Sequence, residues 1–151
     1  MNEKTILLVE DNPDDVALTL RAFKKNKMKN KIEIVGDGVE ALDYLFCKGK
    51  FEGRTPPDLP SMVLLDLNLP RLDGFEVLKA IRKNKITKFV PVIILTSSNE
   101  ERDMVYGYLL GANSFIQKPV NFKKFSEAIK TITVFWTHIN KTPDNSKNYG
   151  N

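Results

Sequence analysis

Only one cysteine, Cys47, occurs in the chain, so no intramolecular disulfide can form. With no second cysteine and no histidine cluster around it, a zinc site is excluded as well. The thiol chemistry is that of a protein kept in a reducing cytoplasm. The single histidine, His138, falls near the end of the sequence and reads as a surface or helix-end residue. No apolar run reaches the roughly 20 residues needed to span a bilayer. Charged Glu3 and Lys4 stand directly before the first strand-like run, where a signal peptide would need an apolar stretch. Neither membrane insertion nor export is expected. One-sided charge is missing too: the net charge is +4, and the lysines between 24 and 31, 83 and 88, and 118 and 130 are dispersed over the surface. A solvated surface is expected, with no nucleic-acid site. No internal repeat appears at any period of roughly 20 to 50 residues.

What is present is a globular composition, 42% hydrophobic and 28% charged over 151 residues, enough for one domain with a real core. Short apolar runs alternate with helix-like stretches, the pattern of a parallel sheet with crossover helices. The runs are Thr5 to Val9, Ile32 to Val35, Met62 to Leu65, Val92 to Leu95 and Ser114 to Ile116. The first, third and fourth are almost wholly Val, Ile, Leu or Met, as strands buried on both faces should be, and are expected at the centre.

Helices are expected over Pro13 to Lys25, with Val16, Leu20 and Phe23 inward, and over Gly38 to Phe46, with Val39, Leu42 and Leu45 or Phe46 inward. Asp73 to Asn84 follows, burying Phe75, Leu78 and Ile81 or Ala80. Asn99 to Leu110 has Asn99 as its cap and two glutamates in its first turn. The last helix, Phe122 to about His138, carries Phe125, Ile129, Ile132 and Trp136 on one stripe; Phe135 lies beside it and Val134 nearly opposite, so some apolar surface should stay exposed. Lys48 to Pro60 is long for a connection and holds Pro56, Pro57 and Pro60; a tolerated insertion and a binding loop are both open. From residue 140 onward almost nothing can be buried, so residues 1–139 form the domain and 140–151 a disordered tail.

In an open α/β sheet, ligands bind beyond the carboxyl ends of the strands. There the first strand runs into Glu10 and Asp11, the third into Asp66, the fourth into Thr96 and Ser97, and the fifth into Lys118 and Pro119. Two like charges about 4 Å apart repel by roughly 4 kcal/mol at an effective dielectric near 20. Three carboxylates so placed need a cation beyond one lysine, and an all-oxygen donor set suits Mg²⁺. An acid ending a near-continuous apolar strand carries a desolvation cost, which marks Asp66 above all. Taken singly, Asp11 and Asp14 could be helix-start residues, Thr96 a strand-end cap and Gly74 a turn residue.

The acidic pair in LLVEDNPDD, the aspartate in LLDLNLPRLDG, the hydroxyl in ILTSS and the lysine in FIQKP resemble the receiver domain of two-component response regulators, the CheY-like family, from about Ile6 to Trp136. The resemblance implies a doubly wound, flavodoxin-like (βα)5 fold with five parallel strands in the order 2-1-3-4-5. It implies that Asp66 accepts a phosphoryl group from a sensor histidine kinase, forming an acyl phosphate, with catalysis by positioning and charge neutralisation. By the same likeness Asp11 and Asp66 bind Mg²⁺ directly, Glu10 acts largely through a metal-bound water, and the Asn68 carbonyl completes the protein ligands. Lys118 pairs with a phosphoryl oxygen, Thr96 bonds another, and Phe115 changes rotamer as the switch. That position is often Tyr in the family, so a hydroxyl contact is forfeited here. The Lys118–Pro119 bond is expected to be cis.

No output module is expected beyond the receiver, so the signal is expected to leave through the face of the fourth helix, fifth strand and fifth helix, to a partner or to a second copy. The long loop, the LLDLNLPRLDG wording and the Phe135–Trp136 pair look like the small regulators of bacteriophytochrome-type kinases, which dimerise through their C-terminal part. A phosphatase of the haloacid dehalogenase type also uses a strand-end aspartate with Mg²⁺. It needs a second acid two residues on, where this chain has Asn68. An inert scaffold is the remaining alternative, and nothing in the sequence favours it.

Overall fold

A computed structural model describes residues 4–54, 59–118 and 121–143. Five parallel strands, β1 Ile6–Val9, β2 Ile32–Val35, β3 Met62–Leu65, β4 Val92–Thr96 and β5 Ser114–Gln117, form one sheet in the order β2-β1-β3-β4-β5. The three most apolar runs are the three inner strands, and every residue of β1, β3 and β4 is buried. Register is fixed by the pairs Val9↔Val35, Val9↔Leu65 and Leu65↔Ile94. Strands β4 and β5 each run one residue past the apolar stretch, to Thr96 and Gln117, which pair with each other.

Side chains alternate between the two faces of the sheet, as a pleated strand requires. Leu7, Val9, Val63, Leu65, Val92 and Ile94 pack on α2 (Gly38–Leu45) and α3 (Gly74–Lys83). Ile6, Leu8, Met62, Leu64, Ile93 and Leu95 pack on α1 (Pro13–Lys25) and α5 (Phe122–Val134). The inward faces differ in detail from the periodicity. In α1, Leu20 is exposed, and Thr19, Ala22 and Phe23 are buried. Thr19 tolerates this because its hydroxyl donates to Asp15 O at 2.9 Å. In α2, Val39 and Leu42 are only half-buried while Gly38, Ala41, Tyr44 and Leu45 face in. Gly38 dictates that rotation: a Cβ there would collide with Leu72 O. In α3, Val77 is fully buried with Leu78 and Ile81, and Phe75 lies half-buried, edge-on to Tyr106 with ring centroids 4.8 Å apart.

The fourth helix, α4 Glu101–Leu109, departs furthest from expectation. Its N-cap is Glu100, not Asn99, and makes no side-chain cap bond. Gly107 is its one buried residue; Met104, Val105, Tyr106, Tyr108 and Leu109 are exposed, Leu109 to 78%. The fifth helix ends at Val134 and gives way to a π turn, Phe135–Ile139, closed by Asn140 N donating to Phe135 O at 2.7 Å. The extra residue in that turn carries the chain past the α-helical stripe. Trp136 is therefore only partly buried, Thr137 is buried, and Phe135 and Ile139 face solvent. Phe135 and Ile139 join Val134, Thr131, Lys130 and Glu127 around a groove of ≈ 490 Å³.

The connection after α2 contains a short 3-10 turn, Gly49–Phe51, whose Phe51 ring meets Tyr44 edge-on. Arg54 stacks over Tyr44 at 3.7 Å. Pro56 and Pro57 of this loop, Pro119, and the part of the tail beyond residue 143 lie outside the described residues.

Gly74 sets the height of the β3–α3 loop. A Cβ on it would overlap Asp66 O and lie 2.8 Å from Leu67 Cα. Gly74→Ala should lower the unfolding free energy by about 1–3 kcal/mol, the usual cost of overpacking, in urea denaturation. Gly53→Ala, whose added Cβ meets nothing within 4 Å, should show no such loss.

Candidate functional site

The strands deliver the polar residues to one edge. Glu10 follows β1, its N–H donating to Val35 O at 3.0 Å, and Asp66 follows β3, its N–H donating to Val9 O at 3.1 Å. Ladder bonds thus fix both backbones before any side chain acts. Lys118 follows β5 and is tied to Thr96 O at 2.7 Å, so the lysine and the end of β4 move as one backbone unit. Asn12 caps α1 next to the acidic pair, accepting from Asp14 N at 2.9 Å and Asp15 N at 3.4 Å. This cap swings Asp15, in the first turn of the helix, over the same edge.

The carboxylates of Glu10, Asp11 and Asp66 offer oxygens that all lie within 4.8 Å of one another. Asp66 is 7% exposed and Glu10 4%, while Asp11 reaches solvent. One Asp66 oxygen accepts from Leu67 N at 2.8 Å; the other faces Lys118 Nζ at 3.9 Å. The ammonium itself is engaged elsewhere, donating to Glu10 Oε1 at 2.5 Å and to Asp15 Oδ2 at 3.0 Å. Thr96 is fully buried, and its hydroxyl accepts from Ser98 N at 3.3 Å. Asn68 is exposed, two residues beyond Asp66. Phe115, paired with Ile94 in the ladder, is half-buried beneath α4, its ring 3.6 Å from where a Cβ on Gly107 would stand.

Negative charge exceeds positive here, and much of it is buried. Burial, with Asp66 adding repulsion, pushes the Glu10 carboxyl up from its ordinary 4.5 to about 7, although the bond from Lys118 opposes this. Burial also acts to lower Lys118, but its bonds to Glu10 and Asp15 outweigh that and raise its pKa. A cluster of oxygen donors with surplus negative charge, one carboxyl of which protonates readily in the absence of a cation, fits a hard divalent ion.

A family model for the response regulator receiver domain matches residues 6–130. The chain belongs to that family. The sheet order and helix placement are those of the flavodoxin-like receiver fold. The receiver is 39% identical over 138 residues to the probable methanogenesis regulatory protein FilR2 of Methanothrix harundinacea, covering 91% of this chain and 86% of the relative. It is 38% identical to the response regulator Rcp1 of Synechocystis sp., covering 88% of each chain. A manganese-bound structure of Rcp1 superposes with a TM-score of 0.81 at 36% identity, covering 93% of this chain and 99% of that one. The phosphorylated cyanobacterial phytochrome response regulator RcpA superposes with a TM-score of 0.85 at 35% identity, covering 94% and 99%. Receivers of this family take phosphate from sensor histidine kinases and bind Mg²⁺ at an acidic pocket.

The structure brings Glu10, Asp11, Asp66 and Lys118 together and sets Thr96 beside Lys118 through the backbone. The peptide bond to Pro119 lies outside the described residues. Sequence reasoning missed Asp15. The signal was its place in the DNPDD run, five residues after Glu10 and in the first turn of a helix starting at the site. No helix among the described residues is long and apolar enough to cross a membrane.

Glu10 titrates near 7 when folded and near 4.5 when unfolded, so between those values the folded state holds an extra proton and stability falls as pH rises. Urea unfolding of chelator-treated protein from about pH 5 to about pH 8 should show this decline. Glu10→Gln should flatten it, and an unchanged slope in that variant would exclude Glu10 as the source.

Proposed function

We propose that this receiver accepts a phosphoryl group on Asp66 from a sensor histidine kinase and passes the signal on through its α4–β5–α5 face. The observation that carries the reading is a nucleophilic carboxylate, 7% exposed, at the end of a buried strand, among two further carboxylates and an ammonium 3.9 Å away. An Asp66 oxygen forms a bond to the phosphorus of a phosphohistidine, the P–N bond breaks, and the imidazole leaves with its electron pair and takes up a proton. The product is an aspartyl phosphate, and the domain turns over nothing beyond its own phosphorylation and dephosphorylation.

Glu10, Asp11, Asp66 and the Asn68 carbonyl are the groups to hold Mg²⁺, with Glu10 acting through a water. When bound, the ion supplies the positive charge that lets these carboxylates meet a phosphate. Lys118 supplies the protein's own cation to the transferred group, whose charge spreads over its equatorial oxygens. Thr96 exchanges its bond from Ser98 N for a phosphoryl oxygen, and Phe115 repacks beneath Gly107 as the β4–α4 loop moves. Phosphorylation thus biases two packings of one face.

The kinase we propose is of the bacteriophytochrome type, supported by the likeness to RcpA and by the C-terminal wording of the sequence. The apolar groove at Val134, Phe135 and Ile139 supports self-association through the C-terminal region. We assign residues 1–139 to the receiver and the protein to the cytoplasm, with no nucleic-acid partner. Acetyl phosphate with Mg²⁺ should label the wild type with one acid-stable, base-labile phosphoryl group; Asp66→Asn should lose it, and undiminished labelling would remove the site. Sedimentation with and without beryllofluoride should show a dimer in at least one state, weakened by Phe135→Glu. A monomer at high concentration in both states would end the self-association reading.

A further inference from the structure

Lys118 does not rest on the phosphoacceptor. Its Nζ stands 3.9 Å from Asp66 Oδ2, beyond hydrogen-bond reach, but 3.0 Å from Asp15 Oδ2 and 2.5 Å from Glu10 Oε1. Asp15 differs from the other acids here in what it serves. The carboxylates that crowd one another are Glu10, Asp11 and Asp66; Asp15 meets the lysine from the α1 side. Its position is over-determined. The Asn12 cap holds its N–H, its carbonyl accepts from the Thr19 hydroxyl at 2.9 Å, and a carboxylate in the first turn is favoured by the helix dipole. The Lys118 backbone is pinned to Thr96 O, so only the lysine side chain is left to choose between partners.

We propose that Asp15 is a positioning residue that holds the Lys118 ammonium away from Asp66 in the resting receiver and must give it up when Asp66 carries a phosphoryl group. The inference rests on the phosphoacceptor reading of Asp66 and deepens it. Asp15 competes with the phosphoryl oxygens for one cation, so it weakens anion binding at Asp66 and sets how completely Lys118 engages the phosphorylated state. The Asp15 side chain is 33% exposed, so solvent limits the strength of its hold, and an exchange of partners needs no backbone change.

The test is calorimetric binding of beryllofluoride in the presence of Mg²⁺ to the whole chain. Asp15→Asn should bind about twofold to fivefold tighter than wild type, the span expected for losing a partly exposed ion pair, and Asp15→Glu should stay near wild type. In a Lys118→Met background the same Asp15→Asn change should have no further effect, because a residue acting only through the lysine is silent without it. An equal gain in that background would show that Asp15 acts by through-space charge, and would overturn the proposal. So would wild-type affinity in Asp15→Asn. Should Lys118→Met fail to fold, the ¹⁵N resonance of the Lys118 ammonium in metal-free protein decides: it should move in Asp15→Asn, and an unmoved resonance overturns the proposal. Absence of beryllofluoride binding to wild type would instead bring down the phosphoacceptor reading itself, whereas binding with no Asp15 effect sinks only the positioning role.

Discussion

Everything at the carboxyl edge of the sheet is organised by a shortage of positive charge. The carboxylates of Glu10, Asp15 and Asp66 all face the Lys118 ammonium, and Asp11 adds a further carboxylate to the same cluster. Like charges at such separations repel by several kcal/mol even when partly screened. The fold therefore holds together a constellation that its own groups leave unbalanced, and burial, with repulsion from Asp66 added, raises the Glu10 carboxyl within it.

Rigidity behind the edge makes this possible. The inner strands are buried without exception, and ladder bonds run up to the backbone N–H groups of Glu10 and Asp66 themselves. The β3–α3 loop is held from two sides by close backbone approaches, Gly38 against Leu72 and Gly74 against Asp66. The backbones of Glu10 and Asp66 cannot relax apart, because main-chain packing sets their separation.

The sheet and the site were legible in the sequence for different reasons. Strands β1, β3 and β4 announced themselves as unbroken apolar runs, which only two-sided burial explains. The acids and Lys118 were found because strand ends in this architecture converge wherever the sequence places them. Periodicity failed where the buried face is made of small residues. Gly38 and Ala41 turn α2 by about a residue, and the face of α4 that meets the sheet is a glycine, invisible to any count of apolar spacing. The π turn after Val134 was equally hidden, since one added residue per turn leaves no mark in composition. Asp15 escaped because a carboxylate in a helix's first turn already has a sufficient local explanation.

The glycine contact of α4 also sets how firmly that helix is held. A helix seated through Gly107 on Ile94 and Phe115 fully buries no large side chain of its own. It forgoes the roughly 1.5–3 kcal/mol that each buried Leu or Phe contributes elsewhere. A segment with so little buried apolar surface is expected to open at lower free energy than the strands beneath it. The helix with the smallest buried face therefore lies against β4 and β5 through the contact of Gly107 with Ile94 and Phe115.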